Sequence, residues 1–104
     1  MQIIWNPDVV EQMQKTQTLL ELEEFDIGER IVTTYCVIPA EKLVQDLPQL
    51  ENYKLMHNGF LEAMKDHDLK LCRDISEHLI GRFGGELDTF YQAILERLDG
   101  SSTR

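Results

Sequence analysis

Residues 19–38 read LLELEEFDIGERIVTTYCVI, and this stretch decides the fold. Its second half, residues 30–38, is β-branched and aromatic on both faces, which is typical of a central strand. The first half permits two structures. Its helix propensity favours continuation of a helix from Pro7. A helix that ended near Phe25 would, however, place four carboxylates against its negative end, at a cost of about 0.3–1 kcal/mol for each charge.

The tripeptide DIG at residues 26–28 favours a β-hairpin instead. It has glycine in the third place of a three-residue loop, as a type I turn closed by a left-handed residue requires. We therefore predict a hairpin in which opposite charges and apolar side chains face each other across the two strands. The predicted register pairs Phe25 with Glu29, Glu24 with Arg30, Leu22 with Val32 and Leu20 with Thr34.

On the N-terminal side of the hairpin, QIIW is predicted to be a short strand that leads into a helix. Asn6 is a good N-cap, and Pro7 suits the first helical position because its missing N–H costs nothing there. Val9, Val10 and Met13 then form one apolar stripe.

After Pro39 the pattern is helical throughout. We predict helices at residues 40–47, 48–66, 69–83 and 86–98, the second continuous across Asn58-Gly59 and the third ended by Gly84-Gly85. The residues predicted to face inward from the third helix are Leu71, Cys72, Ile75, Leu79 and Phe83.

The predicted fold is a single α+β domain over residues 1–99, followed by a flexible tail at 100–104. A two- or three-stranded sheet from the N-terminal forty residues packs against four or five helices. Two such layers would leave apolar helix surface uncovered, and we expect a homodimer to cover it.

The chain carries a net charge of −9, and the charge is concentrated at the N-terminal end. Residues 1–29 hold seven acids and one base, a net charge of −6. A nucleic-acid-binding surface needs basic residues that displace counterions, and an anionic membrane surface attracts the same residues. We therefore expect that the protein binds neither nucleic acid nor a membrane. We expect a protein partner, and a partner that binds the acidic N-terminal region should be basic.

The compartment follows from the cysteines and from the hydropathy of the chain. Cys36 and Cys72 lie in apolar contexts without CxxC spacing, so we expect buried free thiols in a reducing compartment. The first ten residues lack the basic and apolar regions of a secretory leader. No apolar run approaches the roughly 18 residues of a membrane helix. We predict a cytoplasmic protein.

The acidic cluster is the first candidate site. It consists of Glu21, Glu23, Glu24, Asp26 and Glu29. Three interpretations are open: a solvated face, a docking face for a protein partner, or a metal or catalytic site. The solvated face is favoured, because the predicted register points Glu21 and Glu23 to one side and Glu24 to the other, which gives no reason for shifted pKa values. The spacing also departs from that of a calcium-binding loop.

The other candidates are weaker. Asp66-His67-Asp68 with Cys72 one turn later offers metal ligands, but Asp68 is explained more simply as a helix cap. Cys72 near Arg73 is the better of two poor candidates for a nucleophile. Gly84-Gly85 before a helix suggests a phosphate cradle, but Glu86 and Asp88 would repel the anion. We expect no cofactor, no metal and no catalytic residue.

The leading functional hypothesis is a small acidic, non-enzymatic protein-binding domain with an inhibitor, immunity-like or adaptor role. The alternative is a small-ligand-binding domain whose pocket lies between the sheet and the helices and is lined by Trp5, Tyr35 and methionines. A metal-dependent enzyme that uses the carboxylates and His67 ranks third.

Overall fold

The computed structural model describes residues 1–100, and it has the expected α+β architecture. The predicted tail at residues 100–104 lies outside this range except for Gly100. The strands are β1 (Gln2–Ile4), β2 (Thr18–Asp26) and β3 (Ile31–Ile38), and the helices are α1 (Pro7–Met13), α2 (Leu50–Lys65), α3 (Leu69–Leu79) and α4 (Asp88–Asp99). Short 3₁₀ turns cover Ala40–Lys42, Val44–Gln49 and Phe83–Gly85.

The three strands form one antiparallel sheet in the order β1-β3-β2. β3 is therefore central, as its two-faced apolar composition predicts. One face of the sheet, which we call the inner face, packs against α2, α3 and α4. The core between these layers contains Leu20, Leu22, Cys36, Ile38, Leu43, Phe60, Leu61, Ala63, Cys72, Leu79, Phe83, Leu87, Phe90, Tyr91 and Ile94.

The hairpin is confirmed, but the predicted register is wrong. Phe25 pairs with Val32 rather than with Glu29. The connection is a four-residue loop over residues 27–30, in which the Ile27 N–H donates to the Arg30 carbonyl. Gly28 has the expected positive φ, +95°, and its N–H donates to Asp26 Oδ1 at 2.9 Å. The ladder closes at Asp26 and Ile31, one residue later on β2 and two residues later on β3 than the predicted pair of Phe25 and Glu29.

A β-bulge shifts the register again in the middle of the hairpin. Leu22 and Glu23 of β2 together lie opposite Thr34 of β3, between the pairs Glu21–Tyr35 and Glu24–Thr33. The Thr34 hydroxyl accepts a hydrogen bond from the Glu23 N–H at 3.1 Å and donates to the Glu23 carbonyl at 3.0 Å. Thr34 thus satisfies the backbone groups that the extra residue removes from the ladder.

The other face of the sheet, the outer face, is covered by α1. The Asn6 side chain accepts hydrogen bonds from the Asp8 and Val9 N–H groups, which confirms it as the N-cap. None of the seven residues of this helix is buried, and Val10 and Met13 are half-buried. α1 therefore forms a thin, partial cover over β3.

The helical layer departs from the prediction at its ends. α2 runs unbroken across Asn58-Gly59, as expected. The predicted helix at 40–47 consists of 3₁₀ turns, and the last helix begins at Asp88 rather than at residue 86. Leu71, expected to face inward, is 45% exposed.

The predicted helix at 69–83 ends at Leu79, because the chain then turns sharply into a corner. Phe83 is buried with a positive φ of +55°, which is a strained conformation for an aromatic residue. The buried carboxylate of Asp46 holds this corner, since it accepts the Phe83 N–H at 2.7 Å and lies 3.7 Å from Arg82.

Candidate functional site

A groove lies on the outer face, between α1 and β3. Its volume is about 370 Å³. We call it the α1–β3 groove. Residues of α1 and of the segment that leads into it form one wall, and residues of β3 with Arg30 form the other. Its lining residues are Trp5, Pro7, Val10, Glu11, Gln14, Arg30, Ile31, Val32, Thr33 and Tyr35.

Trp5 is the prominent side chain of this groove. It is the only tryptophan of the chain, and it is 52% exposed although it follows a strand directly. It also borders a smaller hollow of about 220 Å³, formed with Ile3, Ile4, Asn6 and Val9. An aromatic side chain of this size, left half in water beside other exposed apolar groups, is typical of a surface that binds another molecule.

The groove brings together Trp5 and Tyr35, the two aromatic residues that the sequence suggested as pocket residues. The surroundings differ from that expectation. The groove lies on the outer face against α1, away from the main helical layer, and no methionine lines it.

The five residues of the acidic cluster do not converge. The bulge places Glu21 opposite Tyr35 and Glu24 opposite Thr33, so the two side chains share the outer face. Glu23, expected beside Glu21, points to the inner side, where Arg97 of α4 donates two hydrogen bonds to its carboxylate at 2.6 and 3.2 Å. The predicted distribution of these carboxylates between the two faces is therefore wrong.

The two remaining members of the cluster lie at the hairpin loop. Asp26 is exposed and pairs with Ile31 at the end of the ladder, while its side chain forms the Gly28 turn. Glu29 is exposed in the loop itself. Glu21, Glu24, Asp26 and Glu29 thus give the outer face and its loop a negative charge without forming a pocket.

The interior contains a buried polar group that no sequence pattern indicated. His57 of α2 is fully buried, and its two ring nitrogens reach two other elements. Nε2 lies 2.6 Å from the Glu21 carbonyl oxygen, and Nδ1 lies 2.9 Å from the Tyr91 hydroxyl. Because a carbonyl only accepts, Nε2 carries a proton. Burial favours the neutral imidazole, in which Nδ1 accepts from the Tyr91 hydroxyl. The ring joins β2 to α4 through α2.

The surroundings of His57 oppose its protonation. Burial, partly offset by the hydrogen bond to the Glu21 carbonyl, holds the pKa of His57 below its usual value. Burial likewise raises the pKa of Tyr91. Rings of Phe83, Phe90 and Tyr91 pack around the imidazole with centroid distances of 5.8–6.3 Å. The group is enclosed, with no opening to a substrate, so it connects the layers of the fold.

Both thiols are buried. Cys36 and Cys72 are each 0% exposed, and they are free cysteines. Burial, followed by the charge of Glu86, raises the pKa of Cys36 to about 11. Burial and the nearby Asp68 raise the pKa of Cys72. Neither thiol has the depressed pKa of a nucleophile.

The residues suggested as a metal site around His67 do other work. Asp68 caps α3 by accepting the Leu71 N–H at 3.0 Å, and His67 lies in the exposed turn before it with φ +57°. Across residues 1–100, no three histidine, cysteine, aspartate or glutamate side chains converge as metal ligands would. In the same part of the chain no helix is both long and apolar enough to cross a bilayer.

Comparison of the chain with models of protein families, with curated proteins and with solved structures returns no match.

Proposed function

We propose that this protein is a small acidic, non-enzymatic protein-binding domain, and that the α1–β3 groove is its binding surface. The observation that carries the proposal is the exposed indole of Trp5 at the edge of a groove whose lining combines apolar side chains with Glu11, Gln14 and Arg30. The inhibitor, immunity-like and adaptor roles all require such a surface. The buried free thiols suit the reducing environment of the cytoplasm.

The charge around the groove supports a basic partner. Glu11 lies in the groove wall, and Glu21, Glu24 and Asp26 lie on the same face of the sheet. Arg30 is the basic residue of the lining, so the surroundings remain negative overall. Lysine or arginine residues of a partner would be attracted to this face, more strongly at low salt.

A small-molecule ligand fits the groove less well. The volume of the groove is within the usual range for small-molecule sites. Those sites, however, enclose most of the ligand and contain a few convergent polar groups. Here Trp5 and Ile31 are more than half exposed, so the walls are themselves in water. A polypeptide segment, which covers an open groove along its length, matches this shape better.

The fluorescence of Trp5 offers a direct test, because no other tryptophan contributes to the signal. Random twelve-residue peptides displayed on phage would be selected on the full chain. We expect the selected peptides to be rich in apolar residues and in lysine or arginine, and to shift the Trp5 emission to the blue on binding. Their affinity should fall as salt is raised.

Two charge reversals make the test specific. Glu11→Lys changes the groove, whereas Glu77→Lys makes the same charge change at an exposed position of α3. We expect the first variant to weaken binding at least about tenfold and the second to bind as the original chain does. Failure to select any peptide, or equal effects of the two variants, would refute the groove as the binding surface.

We also propose that the protein forms a homodimer through its helical layer. Five large apolar side chains of that layer remain 41–68% exposed; they are Val44, Leu47, Leu55, Leu71 and Ile80. Light scattering at micromolar concentration, at low and high salt, tests this directly. We expect a dimer at both salt concentrations and a monomer for a Leu55→Lys, Leu71→Lys double variant. A monomer of the original chain at both would refute the proposal.

A further inference from the structure

The central strand is paired unequally on its two sides. β2 lies along the whole of β3, from Ile31 to Ile38, whereas β1 pairs only with Tyr35–Val37. Within residues 1–100, the stretch 31–34 therefore has no strand beside it on the β1 side. Backbone N–H and C=O groups at an unpaired sheet edge are a template for another strand.

The α1–β3 groove reaches this unpaired edge. Ile31 and Thr33 pair with Asp26 and Glu24 and share the outer face with Tyr35, while Val32 projects to the inner side. All four β3 residues line the groove nevertheless. A cavity that touches residues of both orientations is bounded by the edge of the strand as well as by its face.

The size of the opening suits one extended chain. Four residues of β3 span about 13 Å at roughly 3.3 Å per residue. β1 ends at Ile4, opposite Tyr35, and the chain then leaves the sheet through Trp5 to begin α1 at Pro7. A longer β1 would continue beside residues 31–34, all of which except Thr34 line the groove together with Val10 and Glu11 of α1.

We propose that the groove binds an extended segment of a basic partner protein, which adds to β3 as a strand in line with β1. This inference rests on the proposed function and specifies its binding mode. Alternate side chains of the segment enter the groove, where apolar ones pack against Trp5 and Val10. Lysine or arginine residues that flank them meet Glu11 and the loop residue Glu29.

Strand addition makes a demand that side-chain docking does not. In an added strand every second residue directs its N–H and C=O to the sheet edge, and the residues between direct theirs to solvent. Affinity should therefore depend on alternate backbone amides of the bound segment.

The experiment uses the full chain and a synthetic copy of the selected groove-binding peptide, with each backbone amide methylated in turn. Trp5 fluorescence measures each affinity. We expect losses of about tenfold or more at every second position across the central four to six residues, and small changes between them. Hydrogen exchange of the amides of Ile31–Thr34, followed by NMR, should slow on binding in the same alternating manner.

The outcomes separate this inference from the proposed function. Peptide binding with losses that do not alternate, or with no added protection of Ile31–Thr34, refutes strand addition and leaves groove binding in place. Losses that recur at every third or fourth position would assign a bound helix instead. If no peptide binds the groove, both proposals are wrong.

Discussion

The Tyr91 hydroxyl donates a hydrogen bond to Nδ1 of His57 across 2.9 Å in the interior of the protein. Both side chains are fully buried, and the opposite nitrogen of the imidazole holds the Glu21 carbonyl at the start of the β-bulge. One neutral ring therefore ties the sheet to the first and last long helices. A buried polar group without a hydrogen-bond partner is costly. The Tyr91 hydroxyl, the imidazole and the Glu21 carbonyl therefore each depend on the others for their hydrogen bonds.

Replacement of Tyr91 by phenylalanine should destabilise the fold by about 1–3 kcal/mol, because Nδ1 of His57 would lose its buried donor. Tyr53→Phe on α2 is the matched control, since Tyr53 is half-buried and its ring contact with Phe83 is retained. Chemical denaturation followed by circular dichroism measures both variants. Equal midpoints would show that the hydroxyl contributes nothing to stability.

The depressed pKa of His57 predicts a loss of stability in mild acid. The unfolded chain binds the proton more readily than the folded chain, so stability is full above the unfolded pKa and falls as pH decreases below it. We expect the loss to begin near the ordinary histidine pKa of about 6.5 and to continue as pH falls toward the lowered pKa of the folded state, with a slope of at most about 1.4 kcal/mol per pH unit.

A pair of histidine variants assigns that slope. His57→Gln should flatten the pH dependence below the ordinary histidine pKa of about 6.5, although it lowers stability at every pH. His78→Gln makes the same change at an exposed histidine of α3 and is the matched control. An undiminished slope in the His57 variant would place the titration elsewhere. Urea midpoints at half-unit pH steps supply the data.

Two glycines separate backbone strain from steric overlap. Gly84 has φ +68°, and a Cβ there would lie 2.6 Å from Cβ of Lys42, whereas Gly81 has φ +85° with nothing within 4 Å. Gly81→Ala should cost about 1 kcal/mol from conformation alone. Gly84→Ala should lower the free energy of unfolding by about 2 kcal/mol or more, because the 3₁₀ turn that holds Lys42 must also move away from the new Cβ. Similar denaturation midpoints for the two variants would contradict the close approach.

The burial of both cysteines predicts slow chemistry. In the native state Cys36 and Cys72 should react with a thiol reagent at neutral pH far more slowly than in guanidinium chloride, because neither sulfur is exposed and both pKa values are raised. Time-resolved labelling with mass spectrometry distinguishes the two sites. Rapid native labelling of Cys72 would revive the nucleophile hypothesis.

Local signals were sufficient for the outline of the fold. The DIG tripeptide and the β-branched run after it predict a hairpin, and they do so because turn conformation and strand propensity depend on near neighbours. Asn6, Pro7 and Asp68 mark helix starts for the same reason, since a capping side chain bonds to its own segment. These features are confirmed.

The errors arise where distant residues decide. The bulge turns the Glu23 side chain to the inner face, where Arg97, which is far along the chain, donates hydrogen bonds to its carboxylate. Asp46 accepts a hydrogen bond from the Phe83 N–H and so holds the corner there. Helix α3 therefore ends at Leu79, although the apolar pattern in the sequence continues to Phe83. His57 gives no signal in sequence, because its partners lie 34 and 36 residues away. The groove likewise depends on how α1 lies against β3, and these two elements are far apart in the sequence.

The β-bulge of β2 has a consequence for growth of the sheet. Along the edge of β2 that faces away from β3, the bulge interrupts the regular spacing of backbone groups. The carbonyl of Glu21 already accepts a hydrogen bond from His57. The carboxylates of Glu21 and Glu24 would also repel the same carboxylates of a second copy of β2. A further strand therefore finds a template on the β3 side but not on this one. Joining along the sheet is therefore opposed at the β2 edge, and a fibre that needed both edges of each molecule would lack one of its two contacts.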